Sequence, residues 1–364
     1  MSNAYAESVR PRHRADQPRL NGEQKANEEP TPVHRGSRAI DVRLYTPAEL
    51  AGWVSVQPEW VVQGYAARQA ITELGGKIKR AGKTTWIMHA IRAVLDGVPF
   101  MGYATTRDWV IYVTEQQPGP FLAALQRAGL DQRGEELMIV FRRDMAHLPW
   151  PAVVSYLADY AQDLGDGVLV VDTLGKLAGV ADENSAGDAA RAMAPLQNAA
   201  HDGLCVIVAR HERKSGGEVG DSGRGSSAFG GDADVILSLR RPEGQARSTL
   251  REVHALSRYT ETPEALAIDL TADGYVALGS PDAVAMAEAV RFVSSQLRER
   301  FDRNEPGATA DELIAAAADA EHPMSDATVR RGIRRLEEQQ LVSKSGRGVK
   351  GDPRRFAWKG ERDA

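Results

Sequence analysis

The chain has a single cysteine, Cys205, among its 364 residues, which excludes an intramolecular disulfide and a cysteine-ligated metal cluster. It lacks any apolar run near the roughly 20 residues that a membrane-spanning helix needs, and its N-terminus has no apolar signal-peptide core. Its net charge of -5 is small, so no overall basic field marks a nucleic-acid binder. We therefore expect a cytoplasmic protein without a membrane partner, whose function depends on local motifs.

The length of the chain predicts two domains with tails, because 364 residues are too many for one small core. Residues 1–42 mix arginine, glutamate and proline with few apolar residues, as is typical of a disordered tail. The composition shifts again after Gly279-Ser280-Pro281. We expect one domain over residues 43–280 and a second over residues 281–364.

A glycine- and lysine-rich turn, residues 73–85, lies between a short apolar run and a helical pattern. Backbone amides of such a turn can surround a phosphate, a lysine can reach the outer phosphate oxygens, and a threonine can ligate Mg²⁺. Five residues separate Gly76 from Gly82, one more than in the usual pattern. We predict a site for ATP and Mg²⁺, with a basic turn that binds no ligand as the alternative. Its expected members are Gly75, Gly76, Lys77, Lys79, Ala81, Gly82, Lys83, Thr84 and Thr85.

Two acidic residues come directly after strand-like segments. Glu115 follows the β-branched and aromatic segment 109–114, and Asp172 ends the apolar run that starts at residue 167. Such a run is typical of a parallel strand buried on both faces, and parallel sheets bind ligands at the carboxyl ends of their strands. Asp172 then suits the Mg²⁺ shell of Thr84, and Glu115 suits a general base for water. A surface glutamate at a strand end is the alternative for Glu115.

Basic residues follow the next apolar strand, residues 204–209. They are Arg210, His211, Arg213 and Lys214. The glycine- and serine-rich segment 215–231 comes next, and long loops of this kind are usually functional. It could contact nucleic acid or sense a ligand, with a plain surface excursion as the alternative. Period-two segments at 235–239, 249–256, 265–270 and 275–278 then predict antiparallel hairpins that complete the sheet, with Arg258 after the second of them.

Taken together, these motifs resemble the RecA-type ATPase core of the RepA-like replicative helicases, which are related to the DnaB and RadA families. The resemblance covers about residues 60–278. It implies an α/β fold, a RecA-like P-loop core with a mostly parallel central sheet and antiparallel edge hairpins. It further implies ATP hydrolysis with Mg²⁺ and assembly into a homo-oligomer such as a hexamer.

The same resemblance assigns roles to individual residues. Lys83 and Thr84 match the family's Walker A lysine and Mg²⁺ ligand, and Asp172 matches its Walker B acid. Glu115 matches the catalytic glutamate and His211 the residue that senses the γ-phosphate. Arg224 lies in a segment similar to the family's Arg-Gly-Ser, and Arg258 is similar in place to an arginine finger inserted into a neighbouring subunit's site. Two departures are Leu256, where the families have lysine, and Asp234, where RepA-type helicases have arginine.

The C-terminal segment has the pattern of three helices and a hairpin. Val290, Val293, Leu297 and Phe301 predict the buried face of a helix over residues 283–303. Thr309 and Glu312 form the pattern of a capping box for a helix that ends at residue 318, and Ser325 can cap a third to about residue 339. Apolar residues at 341–342 and 356–358 bracket a basic, glycine-rich turn.

This arrangement resembles a winged helix-turn-helix with the third helix as recognition helix. Residues 324–360 contain ten Lys or Arg against four Asp or Glu, a local net charge of +6. The charge favours DNA binding, and a protein-docking module with a solvated basic face is the alternative. The expected nucleic-acid contacts are Arg213, Lys214, Arg224, Arg330, Arg331, Arg334, Arg335, Lys344, Arg347 and Lys350.

The motifs together predict an ATP-hydrolysing motor that acts on DNA, in replication or recombination of a phage or mobile element. An ATP-switched DNA-binding regulator or replication initiator that does not unwind DNA is the alternative.

Overall fold

The computed structural model describes residues 44–77, 81–181, 185–211, 231–242, 248–320 and 323–360. The predicted tail therefore lies outside the described residues. The chain divides after Gln57 into two units. The first contains helix α1 (Pro47–Trp53), which begins at a capping box between Thr46 and Glu49. All other elements belong to the second unit.

A twisted sheet organises the second unit, and nine of the described strands belong to it. They are β3 (Ala70–Gly75), β4 (Val110–Thr114), β5 (Leu137–Phe141), β6 (Val168–Asp172), β7 (Cys205–Ala209), β8 (Val235–Arg240), β9 (Leu250–Ser257), β10 (Ala265–Thr271) and β11 (Gly274–Gly279). A separate short hairpin, β1 (Trp60–Val62) and β2 (Ala66–Ala67), precedes them.

The strand order in the sheet is β11-β10-β9-β8-β3-β7-β6-β4-β5. From β8 to β5 all neighbouring strands are parallel, and β9, β10 and β11 add antiparallel pairs at one side. The predicted α/β fold with a mostly parallel sheet and antiparallel edge hairpins is confirmed.

Helices cover both faces of the parallel part, which explains why its strands are almost entirely apolar. The helices are α2 (Lys83–Asp96), α3 (Pro118–Ala128), α4 (Arg142–Met145), α5 (Trp150–Leu164), α6 (Leu174–Leu177) and α7 (Ala186–His201). One core contains α2 and α3 side chains, and the other contains side chains of α5 and α7. Alternate residues of each strand enter alternate cores: Val170 packs in the first, whereas Leu169 and Val171 pack in the second. The carboxyl edge of the sheet is thereby held between two packed layers.

The predicted strands match those observed to within about one residue. Trp109 and Gly167 were expected inside strands, but β4 begins at Val110 and β6 at Val168. Gly167 has a φ of +140°, and a Cβ there would lie 2.6 Å from ring atoms of Trp109, so only glycine fits at the residue before β6. The hairpin of β1 and β2 was not predicted because two or three residues are too short for a periodic pattern.

The C-terminal part contains helices α8 (Pro281–Asp302), α9 (Ala310–Ala318) and α10 (Asp326–Glu338). Strands β12 (Ala308–Thr309), β13 (Val342–Ser345) and β14 (Arg355–Trp358) form an antiparallel sheet in the order β12-β14-β13. These elements share a core of their own, distinct from the two cores of the large sheet. Two of the helices begin where the sequence predicted: Thr309 and Glu312 form the capping box of α9, and Ser325 caps α10. Helix α8 was predicted from residue 283 and begins two residues earlier, after the cap Ser280.

The prediction for one residue of the C-terminal core was wrong. Phe301 was expected on the buried face of α8, but it is 51% exposed, while Val293 and Leu297 are buried. The small core ends before the last turn of the helix, so periodicity continues beyond the layer that could bury it.

Candidate active site

The predicted phosphate-binding turn, called the phosphate loop below, is the segment 76–82 between β3 and α2, and its two ends pack against each other. A Cβ at Gly76 would lie 2.6 Å from the Cβ of Ala81 and 3.0 Å from the carbonyl oxygen of Leu239, so only glycine fits there. The amide of Ala81 donates a hydrogen bond to the carbonyl of Lys77 at 3.3 Å. Gly76 and Ala81 are thus in close contact, although five residues separate Gly76 from Gly82.

Glycine is also favoured at the start of α2. Gly82 has a φ of +87° and caps the helix without a side-chain hydrogen bond, so the first backbone amides of the helix are not satisfied by a capping side chain. A helix N-terminus of this kind suits an anionic phosphate. Of the other predicted members, Gly75 ends β3, Lys77 is exposed, Thr85 is in the first turn of α2, and Lys79 lies outside the described residues.

The side chain of Lys83 is buried and turned back over the loop. Its ammonium donates to the carbonyl oxygen of Gly76 at 2.6 Å and lies 3.2 Å from Nδ1 of His211. An ammonium can only donate, so the contact is a hydrogen bond in the tautomer of His211 whose Nδ1 accepts. The predicted phosphate-binding lysine and the predicted γ-phosphate sensor are therefore in direct contact, although 128 residues separate them.

Thr84 and Asp172 meet at the carboxyl edge of the sheet. The hydroxyl of Thr84 donates to Oδ2 of Asp172 at 2.9 Å, and the hydroxyl of Tyr112 donates to the same oxygen at 2.8 Å. The amide nitrogen of the Gln116 side chain donates to Oγ1 of Thr84 at 3.3 Å. Burial raises the pKa of Tyr112, and the neighbouring Asp172 carboxylate raises it further, so its hydroxyl remains a donor.

The Thr84 and Asp172 oxygens suit a Mg²⁺ ion. Their hydrogen bond brings a hydroxyl and a carboxylate to one place, and Mg²⁺ binds protein oxygens of this kind. No cluster of three or more His, Cys, Asp or Glu side chains that could hold a metal exists in the described part of the chain. Mg²⁺ needs no such cluster, because it binds through one or two protein oxygens together with phosphate oxygens and water.

Glu115 is half-buried and lies beside Asp172. Its amide donates to the carbonyl of Asp172 at 3.1 Å, and its Oε1 accepts a hydrogen bond from the hydroxyl of Thr173 at 3.1 Å. The adjacent strands β4 and β6 end at the same level, because Thr114 pairs with Asp172. The carboxylate is therefore held at the edge where a phosphate would lie, rather than extended into solvent.

An ion pair that the sequence did not predict lies next to this edge. Nε of Arg210 contacts Oε1 of Glu73 at 3.0 Å, and their side chains are only 11% and 4% exposed. Glu73 precedes the phosphate loop and Arg210 precedes His211, so the pair joins the two strand ends from which Lys83 and His211 follow. The signal in the sequence was a glutamate within one apolar strand pattern and an arginine directly after another.

Arg251 is a second residue that sequence reasoning missed. It lies on β9, and its Nε donates to the carbonyl of Ala81 at 2.8 Å. The hydroxyl of Tyr275 on β11 lies near the position where Gly82 would carry a Cβ, at 3.7 Å. The antiparallel strands β9 and β11 thus contact the phosphate loop at Ala81 and Gly82. No local pattern could indicate a contact between residues 170 positions apart.

Arg258 lies at the opposite ends of the strands from the phosphate loop, level with the start of β3. Its guanidinium is 67% exposed and contacts Asp234 at 3.3 Å, and Asp234 also accepts a hydrogen bond from the amide of Ile71 at 2.9 Å. Ile71 is near the start of β3, whereas Lys83 follows its end. The six residues of β3 separate the two edges by roughly 17 Å at about 3.3 Å per residue. The structure does not bring Arg258 to the phosphate loop of its own chain.

The predicted nucleic-acid contacts divide into two groups. Arg213, Lys214 and Arg224 lie outside the described residues, together with most of the glycine-rich segment 215–231. In the C-terminal part, Arg330, Arg331, Arg334, Arg335, Lys344, Arg347 and Lys350 are all exposed. Several of them pair with acids: Arg330 with Asp311 at 3.1 Å, Arg331 with Asp282 at 3.6 Å, Arg335 with Glu338 at 3.3 Å, Lys344 with Glu337 at 3.1 Å and Arg347 with Asp352 at 3.1 Å.

The segment that carries the phosphate loop, Glu115 and Asp172 matches a known family model. Residues 42–217 match the model described as an AAA domain. The match supports an AAA-type P-loop ATPase. Such a domain implies nucleotide binding, typically with Mg²⁺, and suggests ATP hydrolysis.

The matched residues include His211 but not Arg258 or the C-terminal helices. No curated protein matches the chain. Over the described ranges, the helices are all too short or too polar to cross a membrane.

Proposed function

We propose that this protein is a RecA-type motor that hydrolyses ATP with Mg²⁺ and acts on DNA. The observation that supports it best is the meeting of Lys83, Thr84 and Asp172 at one edge of the sheet, with Glu115 beside them. Phosphoryl transfer depends mainly on positioning and on stabilising charge, and this edge offers a cation, a helix N-terminus and two carboxylates for those tasks.

In this proposal each residue has one task. Lys83 exchanges the carbonyl of Gly76 for the β- and γ-phosphate oxygens, Thr84 and Asp172 hold Mg²⁺, and Glu115 accepts a proton from the attacking water. A Mg²⁺ ion held there would stabilise negative charge on the phosphate oxygens. His211, which contacts the ammonium of Lys83, senses whether the γ-phosphate is present.

The proposed motor is a homo-oligomer in which Arg258 completes the site of a neighbouring subunit. The position of Arg258 supports this, because it is exposed and lies at the edge opposite the phosphate loop of its own chain. A guanidinium inserted into an adjacent site would stabilise the charge that develops during phosphoryl transfer. The ion pair with Asp234 holds the side chain at the surface until then.

We further propose that residues 43–280 form the ATPase domain and residues 281–364 a winged-helix DNA-binding domain. Three helices around a small antiparallel sheet, with an exposed basic face on α10, support the assignment. The ion pairs on that face are exposed and therefore weak, so DNA phosphates can replace the acidic partners. A role in replication or recombination of a phage or mobile element rests on the resemblance to RepA-like helicases.

The proposal is tested by ATP hydrolysis of the full chain with and without DNA. Lys83→Ala should abolish DNA-stimulated hydrolysis, while Lys176→Ala, which removes an exposed lysine of α6, should leave it unchanged. Hydrolysis that survives Lys83→Ala would reject the site.

Mixing tests the shared site. Lys83→Ala and Arg258→Ala protein, each inactive alone, should regain partial activity together, because a mixed oligomer contains sites with both residues. If ATP hydrolysis does not recover at any mixing ratio, Arg258 does not act in the site of a neighbouring subunit. Strand displacement on a forked duplex with ATP then separates a motor from a regulator that binds DNA without unwinding it.

A further inference from the structure

Tyr112 is a polar residue in the middle of an apolar strand. It lies on β4 and is fully buried, with its ring packed edge-on against Phe121 at a centroid distance of 5.0 Å. A phenylalanine would fill the same space and present the same face to Phe121. The hydroxyl is costly to bury unless it is hydrogen-bonded, so its presence is explained by the group it bonds.

That group is the carboxylate of Asp172. The Tyr112 hydroxyl and the Thr84 hydroxyl donate to the same oxygen, Oδ2, at 2.8 and 2.9 Å. Two donors use both lone pairs of this oxygen and fix the plane of the carboxylate. The other oxygen, Oδ1, accepts no hydrogen bond from the residues that the structure describes, and the carboxylate as a whole is held facing Thr84.

We propose that Tyr112 is a positioning residue that holds the Asp172 carboxylate in the orientation that binds the Mg²⁺ of the nucleotide complex. The inference rests on the proposed function, since Mg²⁺ binds together with a nucleotide at Thr84 and Asp172. Groups that orient the protein oxygens around a metal commonly change metal affinity by about 10- to 100-fold when they are removed. The side-chain amide of Gln116 also donates a hydrogen bond to Thr84, but this contact is longer, at 3.3 Å.

The experiment compares full-length wild-type protein, Tyr112→Phe and Tyr65→Phe. Tyr65 is the matched control because it is also a tyrosine buried in the core that contains Tyr112, and it does not bond Asp172. Binding of fluorescently labelled ADP is measured in EDTA and then as a function of Mg²⁺ concentration. Tyr112→Phe should bind ADP normally in EDTA but need about 10-fold more Mg²⁺ for the half-maximal change. Tyr65→Phe should match the wild type in both measurements.

The outcomes separate this inference from the function on which it rests. If wild-type protein binds ADP with a Mg²⁺ dependence that Tyr112→Phe leaves unchanged, the positioning role is wrong and the nucleotide site stands. If the wild type shows no Mg²⁺-dependent binding, both the positioning role and the proposed nucleotide site are wrong. An equal loss of ADP affinity in EDTA and in Mg²⁺ indicates a general defect of the site and also rejects the role.

A double-mutant comparison decides the matter if Tyr112→Phe is less stable than expected. Asp172→Asn and Asp172→Asn/Tyr112→Phe should need the same Mg²⁺ concentration, because the hydroxyl acts through the carboxylate. Independent losses that add up in the double variant would overturn the proposal.

Discussion

Charged and polar groups form pairs in two regions of the molecule, but the two regions bury them to different extents. At the phosphate-loop edge, Glu73 and Arg210 are 4% and 11% exposed, and Asp172 is buried with its two hydroxyl donors. On the C-terminal basic face, Arg330 and Asp311 are 55% and 89% exposed. A buried pair cannot be opened cheaply, whereas an exposed one exchanges with water or another anion. The first arrangement suits a site of fixed geometry, and the second suits a surface that changes partners.

Glu115→Gln should have the largest effect and would test whether the fixed geometry serves catalysis. The amide keeps the size and the hydrogen bond to Thr173 but cannot accept a proton, so ATP should still bind while turnover falls about 100- to 10,000-fold. Single-turnover hydrolysis and ATP binding measure the two effects. Glu135→Gln, at an exposed glutamate, is the control. Turnover at the wild-type rate would exclude Glu115 as the base.

Glu73→Gln should have the next largest effect, and it tests whether breaking a buried ion pair costs more stability than breaking an exposed one. It leaves the buried charge of Arg210 without its carboxylate, and breaking a buried pair in this way typically costs about 3–5 kcal/mol. Arg330→Gln breaks an exposed pair and should cost at most about 1 kcal/mol. Urea unfolding of both variants gives the free energies. Equal losses would mean that burial does not distinguish the two regions.

Arg334→Ala should have a smaller effect, and on DNA rather than on stability. Arg334 is exposed on α10, so its loss should remove about one phosphate contact and reduce the slope of log affinity against log salt by about 0.9. Fluorescence anisotropy with duplex DNA over a range of salt concentrations measures the slope. Arg127→Ala, at an arginine of α3 on the large sheet, should keep the wild-type slope. An unchanged slope for Arg334→Ala would favour a protein-docking role for this face.

The smallest expected effect is a pH dependence in the sheet region. Burial lowers the pKa of His89 from 6.5, and Arg92 lowers it further. The unfolded chain therefore binds the proton first as the pH falls, so the contribution of His89 to stability is present above pH 6.5 and is lost below it. Urea unfolding at pH 7.5, 6.5 and 5.5 should show this loss, and His89→Asn should reduce it. His147→Asn, at an exposed histidine, should leave the pH dependence as it is in the wild type.

Local patterns in the sequence determined most elements of the fold. Strands β5 and β6 follow from apolar runs, the start of α9 follows from Thr309 and Glu312, and the start of α10 follows from Ser325. The same patterns placed Glu115 and Asp172 at strand ends. These inferences work because hydrogen bonding at caps and alternation in strands act between residues only a few positions apart.

Only the tertiary structure decided which of these residues meet. Lys83 contacts His211, Tyr112 bonds Asp172 and Arg251 supports Ala81 across 128, 60 and 170 residues of sequence. These contacts depend on the strand order, which places β6 next to β4, and β7 and β8 on either side of β3. The antiparallel direction of β9 places Arg258 level with the start of β3, away from the phosphate loop of its own chain. The residues next to a given position in the sequence do not predict the strand order, because that order is set by the packing of whole strands and helices on one another.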